Sequence, residues 1–268
     1  MLELSGRILR HRGLLATLVA RELKARYRGS VLGFLWSLVN PLLLFLVYTF
    51  VFTRILPGGR APGAQPYALF LMIGLFPWIW ASTSVLEGTV SLTTNASLIR
   101  KAVFPAEILP MVSVVSNLVH FLFALPILGV ALLVGRLWGH PVGGWSALLL
   151  PVVIALQLLV VGGFALGLSA LSVHFKDVKD IVQNLLTLLF FLTPIIYPLS
   201  FVKSPVLRDL LIWANPVTAP TLAYHDLLLR GQLPHASAWL PLLVWSVVAW
   251  TVGGWLFDRL SASLAEAV

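Results

Sequence analysis

Residues 31–52 run without a single Asp, Glu, Lys, Arg or His. In a helix rising about 1.5 Å per residue, that stretch crosses a hydrocarbon layer of roughly 30 Å. Lipid offers no partner for backbone N–H and C=O groups, so the run must satisfy them internally, as a helix. Five further apolar runs follow at 67–85, 111–134, 147–173, 181–196 and 238–257. The reading is an all-α, polytopic membrane protein with six transmembrane helices. Residues 1–268 form one transmembrane domain: an N-terminal segment at 1–30, spans one to five at 31–196, an outer-face region at 197–237 and span six at 238–257. A soluble globule is excluded, because only 10% of the residues are charged against about a quarter in soluble domains.

The formal net charge of +8 is concentrated before the first run, at Arg7, Arg10, Arg12, Arg21, Lys24, Arg26 and Arg28. Leu15, Val19, Leu23 and Tyr27 recur at i+4 on one side of a helix, while Thr17, Arg21, Lys24 and Arg28 line another. That spacing predicts an amphipathic helix in the membrane interface, with lipid tails on one face and phosphate headgroups on the other. An ordinary basic flank is the simpler alternative, but it needs no such periodicity. Gly29-Ser30 breaks this helix from the span that follows. With the N-terminus inside, twelve basic residues face the cytoplasm and six face outward, as the positive-inside rule requires. Both termini are then cytoplasmic. The charge reads as attraction to anionic lipid; no basic soluble module accompanies it, so nucleic acid is not expected. There is no cysteine, hence no disulfide. The first apolar run follows a long basic segment and is too long for a signal-peptide core.

Proline lies within or at the edge of every run, at Pro41, Pro77, Pro126, Pro151, Pro194 and Pro241. Interior prolines bend a spanning helix and free a carbonyl. Gly163 and Gly167 have the spacing for close helix approach, within the bundle or between two copies. Asn40, Asn117, His120, Gln157 and Asn184 fall at or near membrane depth and need partners, either neighbouring helices or a hydroxyl-rich substrate. Between spans two and three, NASLIRKAVFPAEILP (95–110) predicts a short helix capped by Asn95 and stopped at Phe104-Pro105. Such a stub serves either as an interfacial anchor or as a docking knob for a cytosolic partner. Between 197 and 237, two apolar stretches too short to span flank Asn215-Pro216, and they predict two re-entrant or interfacial helices on the outer face. Trp213, Tyr197, Tyr224 and His225 would sit near headgroup level.

No lysine follows a glycine, which excludes a G-x-x-x-x-G-K-[ST] phosphate loop. There is no G-x-S-x-G elbow and no H-E-x-x-H helix, and no two histidines are spaced at i+3 or i+4. Lys176, Asp177, Lys179 and Asp180 read as a self-neutralising corner. No catalytic set and no metal or cofactor site is expected.

The sequence resembles the membrane permease subunits of type-2 ABC exporters that carry lipid-linked polysaccharides such as O-antigen and teichoic acid. Five segments carry the resemblance: RELKARYRGSVLGFLWSLVNPLL, LIRKAVFPAEILP, KDVKDIVQNLL, TPIIYPLS and NPVTAPTLAYHDLLLRG. It implies a homodimeric permease in the bacterial inner membrane, moving an undecaprenyl-linked glycan outward. ATP and Mg would be bound by a separate ABC ATPase, present in two copies. By resemblance, Arg21, Lys24, Arg26 and Arg28 belong to a gate helix that receives the pyrophosphate headgroup. Trp36, Phe45, Tyr48, Phe76, Trp78 and Trp80 are candidates for a sugar channel. Ser97, Arg100, Lys101 and Phe104 belong to the coupling helix, and Tyr197, Trp213, Asn215, Pro216 and Tyr224 to an outer gate. Where the family often has an Arg-Asp pair, this chain has Lys176-Asp177, so no bidentate role is carried over to that lysine. A drug or lipid exporter of the same class is the alternative; a membrane enzyme acting on polyprenyl-linked sugars is a further one, which would require an interfacial carboxylate or histidine pair.

Overall fold

The computed structural model describes residues 2–26, 28–31, 33–55, 66–101 and 105–261. The expectations at Tyr27, Arg60 and Phe104 lie outside these residues. Among the described residues there are eleven α-helices and no strand: α1 (Leu2–Arg10), α2 (Arg12–Arg26), α3 (Trp36–Phe50), α4 (Tyr67–Thr94), α5 (Ala96–Lys101), α6 (Ile108–Leu137), α7 (Leu150–His174), α8 (Val178–Leu192), α9 (Pro205–Ala214), α10 (Thr218–Tyr224) and α11 (Ala236–Ser261).

Four of these, α4, α6, α7 with the turn that leads into it from Trp145, and α11, are long and apolar enough to cross a membrane. The remaining two expected spans form shorter helices. α3 continues into a π-helical turn at Val51–Ile55. α8 ends at Leu192 because Thr193 precedes Pro194 and takes an extended conformation, ψ 138°, the geometry that a following proline imposes. The count of six full-length spans is therefore not reproduced among the described residues, whereas the all-α polytopic architecture is.

α4 is the central post, buried along most of its length between α6 and α7. α7 packs in turn on α11, and glycines set that contact. A Cβ on Gly163 would stand 2.2 Å from the Ala249 backbone, and one on Gly253 would stand 1.9 Å from the Gly163 carbonyl oxygen. The small-residue spacing thus joins two helices of one chain. Polar side chains bridge the same helices: Gln157 Nε2 donates to the Pro77 carbonyl at 3.2 Å and Ser246 Oγ to the Leu156 carbonyl at 3.0 Å.

α10 is a short helix embedded in the bundle. It packs on α4, α7 and α11, and the π-helical turn that continues it, His225–Leu229, is buried throughout. His225 stacks on Phe70 with centroids 4.1 Å apart and hydrogen-bonds its carbonyl at 2.9 Å. Asp226, also buried, pairs with Arg230 at 2.5 Å. Tyr224 and His225 therefore lie inside the packed core, not at a headgroup-level surface as the aromatic pattern suggested.

At the opposite end, α1 and α2 cover the bundle. Leu4, Ile8, Leu18 and Val19 pack with Ile108, Leu109 and Phe257. Arg7 of α1 pairs with Glu107 at 2.9 Å and also with Asp258 near the end of α11, so Arg7 and Asp258 lie at the same end of the bundle.

Candidate functional site

α2 presents two different basic faces. Arg21, Lys24 and Arg28 are exposed and line an open concavity of about 770 Å³ floored by Ala16, Ala20 and Ala25. Small residues keep that floor low, and among the described residues none of these three cations is ion-paired. Arg26 turns the other way. Its Nη2 donates to Glu87 of α4 at 2.8 Å, its Nη1 donates to Asn117 of α6 at 3.0 Å, and Asn117 Nδ2 donates to the same Glu87 oxygen at 2.7 Å. Spacing explains the difference. Arg26 follows Val19 by two helical turns and shares its buried stripe, which packs on α6 instead of dipping into lipid. Glu87 is the only carboxylate between Glu22 and Glu107, and it supplies the closer of two counter-charges, the other being Glu22 of α2 itself at 3.7 Å.

Above this cluster a cavity of about 340 Å³ opens between α2, α3, α4 and α6. Trp36, Phe76, Trp80 and Phe121 form its aromatic walls, and Arg26, Asn40, Asn117 and His120 its polar ones. Trp80 and Phe121 stack with centroids 5.3 Å apart and planes 7° from parallel. A second cavity of about 540 Å³ lies on another side of α4, lined by Tyr48, Trp78, Gln183, Thr187, Phe190 and Phe191. Tyr48 stacks on Phe190 at 5.7 Å. Five of the six candidate channel aromatics thus border cavities, sorted to two sides of α4, with Ile79 and Thr83 lining both. Phe45 borders neither and packs against the core.

The stub between spans two and three is α5. Ser97 on it is exposed, Arg100 and Lys101 occupy its last two positions, and Phe104 is outside the described residues. Asn95 does not cap α5 with its side chain. Its Nδ2 donates backward to the Ser91 carbonyl at 2.9 Å, closing the end of α4, while its own carbonyl accepts from Leu98 N–H at 2.9 Å. At the other end of the bundle, Asn215 is buried and donates to Thr193 Oγ1 at 2.8 Å while accepting from Val217 N–H at 3.0 Å. Pro216 is buried beside it. Tyr197 donates to the Leu192 carbonyl at 3.0 Å, and exposed Trp213 accepts through its carbonyl from Trp245 Nε1 at 2.8 Å. Tyr224 is fully buried and lies edge-on to Phe121, so it belongs to the core beneath the first cavity and not with Trp213. Lys176, Asp177, Lys179 and Asp180 are all exposed at the α7–α8 corner, and among the described residues they form no ion pair with one another.

Residues 13–228 match the ABC-2 type transporter family. The chain belongs to that family. It is 38% identical, over the full length of both chains, to the O-antigen export system permease protein RfbA of Myxococcus xanthus. It is 31% identical to a protein of the same description from Klebsiella pneumoniae, over 94% of each chain. As an ABC-2 transporter the chain is a multi-pass transport component, and membership implies an ABC ATPase as its partner. The Arg26–Glu87–Asn117 cluster of this transporter, and the Arg7 pairs, were not singled out from the sequence. The one signal available for the first was an arginine on the apolar stripe of its helix, which requires a buried acid.

Proposed function

We propose that this chain is the membrane permease of an exporter that moves an undecaprenyl-linked, O-antigen-like polysaccharide from the cytoplasmic side outward. The observation that carries the reading is the juxtaposition of three cations that are not ion-paired among the described residues, Arg21 and Lys24 on α2 and Arg28 just past its end, with an aromatic, polar-edged cavity behind the helix. A diphosphate is drawn to the first by charge, and sugar rings stack in the second. The names borne by the full-length relatives support the same cargo. A compact drug or lipid needs neither feature.

In this reading residues 1–268 act as one permease domain with six spans. α3 with its π turn supplies the first crossing and α8 the fifth, and both termini lie in the cytoplasm of a bacterial inner-membrane protein. Two copies enclose the path. Two copies of an ABC ATPase bind ATP and Mg and push through α5, with Ser97, Arg100, Lys101 and Phe104 as the contact. Tyr197, Trp213, Asn215 and Pro216 border the outer exit. The site test is the combined change Arg21→Gln, Lys24→Gln and Arg28→Gln in a strain lacking the native gene. Surface polymer is expected to disappear while the protein stays in the membrane; undiminished surface polymer contradicts the role given to α2.

A further inference from the structure

Arg7 of α1 grips two carboxylates from two other helices, Glu107 through Nε at 2.9 Å and Asp258 through Nη2. Glu107 stands at the N-cap position of α6, where an acidic side chain ordinarily accepts from the first free N–H groups of its helix. It makes no such cap bond and is buried against Arg7 instead, so its charge is committed to α1. Glu107 also follows closely on α5, which ends at Lys101. Ile99 of α5 rests on the same apolar cluster as Leu4, Ile8 and Val19. Apolar contact of that kind is non-directional and lets surfaces slip. A guanidinium on a carboxylate fixes both distance and direction.

What holds Arg7 also holds α2. His11 N–H donates to the Arg7 carbonyl at 3.1 Å and Leu15 N–H to the His11 carbonyl at 2.9 Å, so helical hydrogen bonding continues across the break and α1 with α2 forms one stiff lever. On its other side α1 is fastened to α11. Trp250 Nε1 donates to Ser5 Oγ at 3.2 Å, and Gly254 makes room for Leu4, whose Cδ2 would stand 2.7 Å from a Cβ there. We propose that Arg7 is a positioning residue that passes displacement of α5 to α2. Glu107 carries the movement of the stub, Arg7 receives it, and Asp258 only anchors the arginine to α11. The inference rests on the reading of α5 as the ATPase contact and extends it by naming the link to α2. The far end of α2 is held separately, by Arg26 on Glu87 and Asn117, so a shift entering at α1 tilts the face that carries Arg21 and Lys24.

The test uses the full chain with its ABC ATPase in nanodiscs and follows amide hydrogen exchange with and without ATP trapped by vanadate. In the unmodified complex, trapping is expected to change exchange both in 96–101 and in 12–26. Arg7→Gln and Glu107→Gln are each expected to confine the change to 96–101, and in cells to lose surface polymer while the complex still hydrolyses ATP. Asp258→Asn takes a carboxylate from the same guanidinium and is expected to keep both responses and export. A purely structural staple would make Glu107→Gln and Asp258→Asn alike, so that comparison decides even where Arg7→Gln does not fold. The proposal is overturned if those two variants behave alike, or if 12–26 still responds when Arg7 or Glu107 is replaced. If 96–101 responds in the unmodified complex and 12–26 does not, the link through Arg7 alone falls. If 96–101 does not respond, the reading of α5 as the ATPase contact falls with it.

Discussion

Gly253 sits where α7 and α11 come closest, and its hydrogen is all that fits against the Gly163 carbonyl. Gly253→Leu must push the helices apart, a strain of about 1–3 kcal/mol or more, and should lower the thermal unfolding midpoint of the detergent-purified protein. Gly129→Leu is the matched control, because nothing stands within 4 Å of a Cβ there, and its midpoint should not move. The sequence showed the Gly163 and Gly167 spacing without the partner, since Gly253 lies far along the chain and only packing brings it near. Arg26 illustrates a different limit. Four basic residues in one short stretch look alike by composition, but a helix turns each by about 100°, and the one on the apolar side meets a carboxylate from another helix. Removing that carboxylate leaves Arg26 with only the longer Glu22 contact at 3.7 Å, a loss that costs several kcal/mol where burial is deep and less where, as here, the arginine keeps about a quarter of its side-chain exposure.

At the level of elements, the same ion pair fastens α2 to α4 and α6. Glu87→Ala is therefore expected to raise amide hydrogen exchange across 12–26 while leaving α4 and α7 protected. Equal protection of α2 in the variant would mean that Leu18 and Val19 hold it alone. α5 carries a separate prediction: Arg100→Glu with Lys101→Glu should reduce co-purification of the ABC ATPase without reducing the amount of permease in the membrane. The long helices were legible from length and apolarity, because lipid leaves backbone groups no other option. α10 was legible only as something too short to span. Its burial goes with contacts to Phe121 and, from the turn that continues it, to Phe70, both more than one hundred positions away, and no local pattern distinguishes an aromatic belt from an aromatic core. Asn95 was expected to cap the short helix after it, but its side chain closes the end of α4 instead, because the preceding turn's carbonyls are as near to it in sequence as the following N–H groups.

For the whole molecule, charge asymmetry predicted both termini on one side, and the Arg7–Asp258 pair brings the two ends of the described chain to one end of the bundle. The Arg26–Glu87 contact, the cavity at Phe76 and Trp80, and the His225 contact at Phe70 then follow one another along α4 from that end toward the other. The most direct measurement is where lipid-linked polysaccharide resides when this chain is depleted from its own cell, comparing the surface pool with the pool in the cytoplasmic leaflet. Finished polymer should accumulate inside and vanish from the surface, and restoring the chain should reverse both. Normal surface polymer after depletion would contradict export by this protein, and polymer that is never made would place its role in synthesis instead.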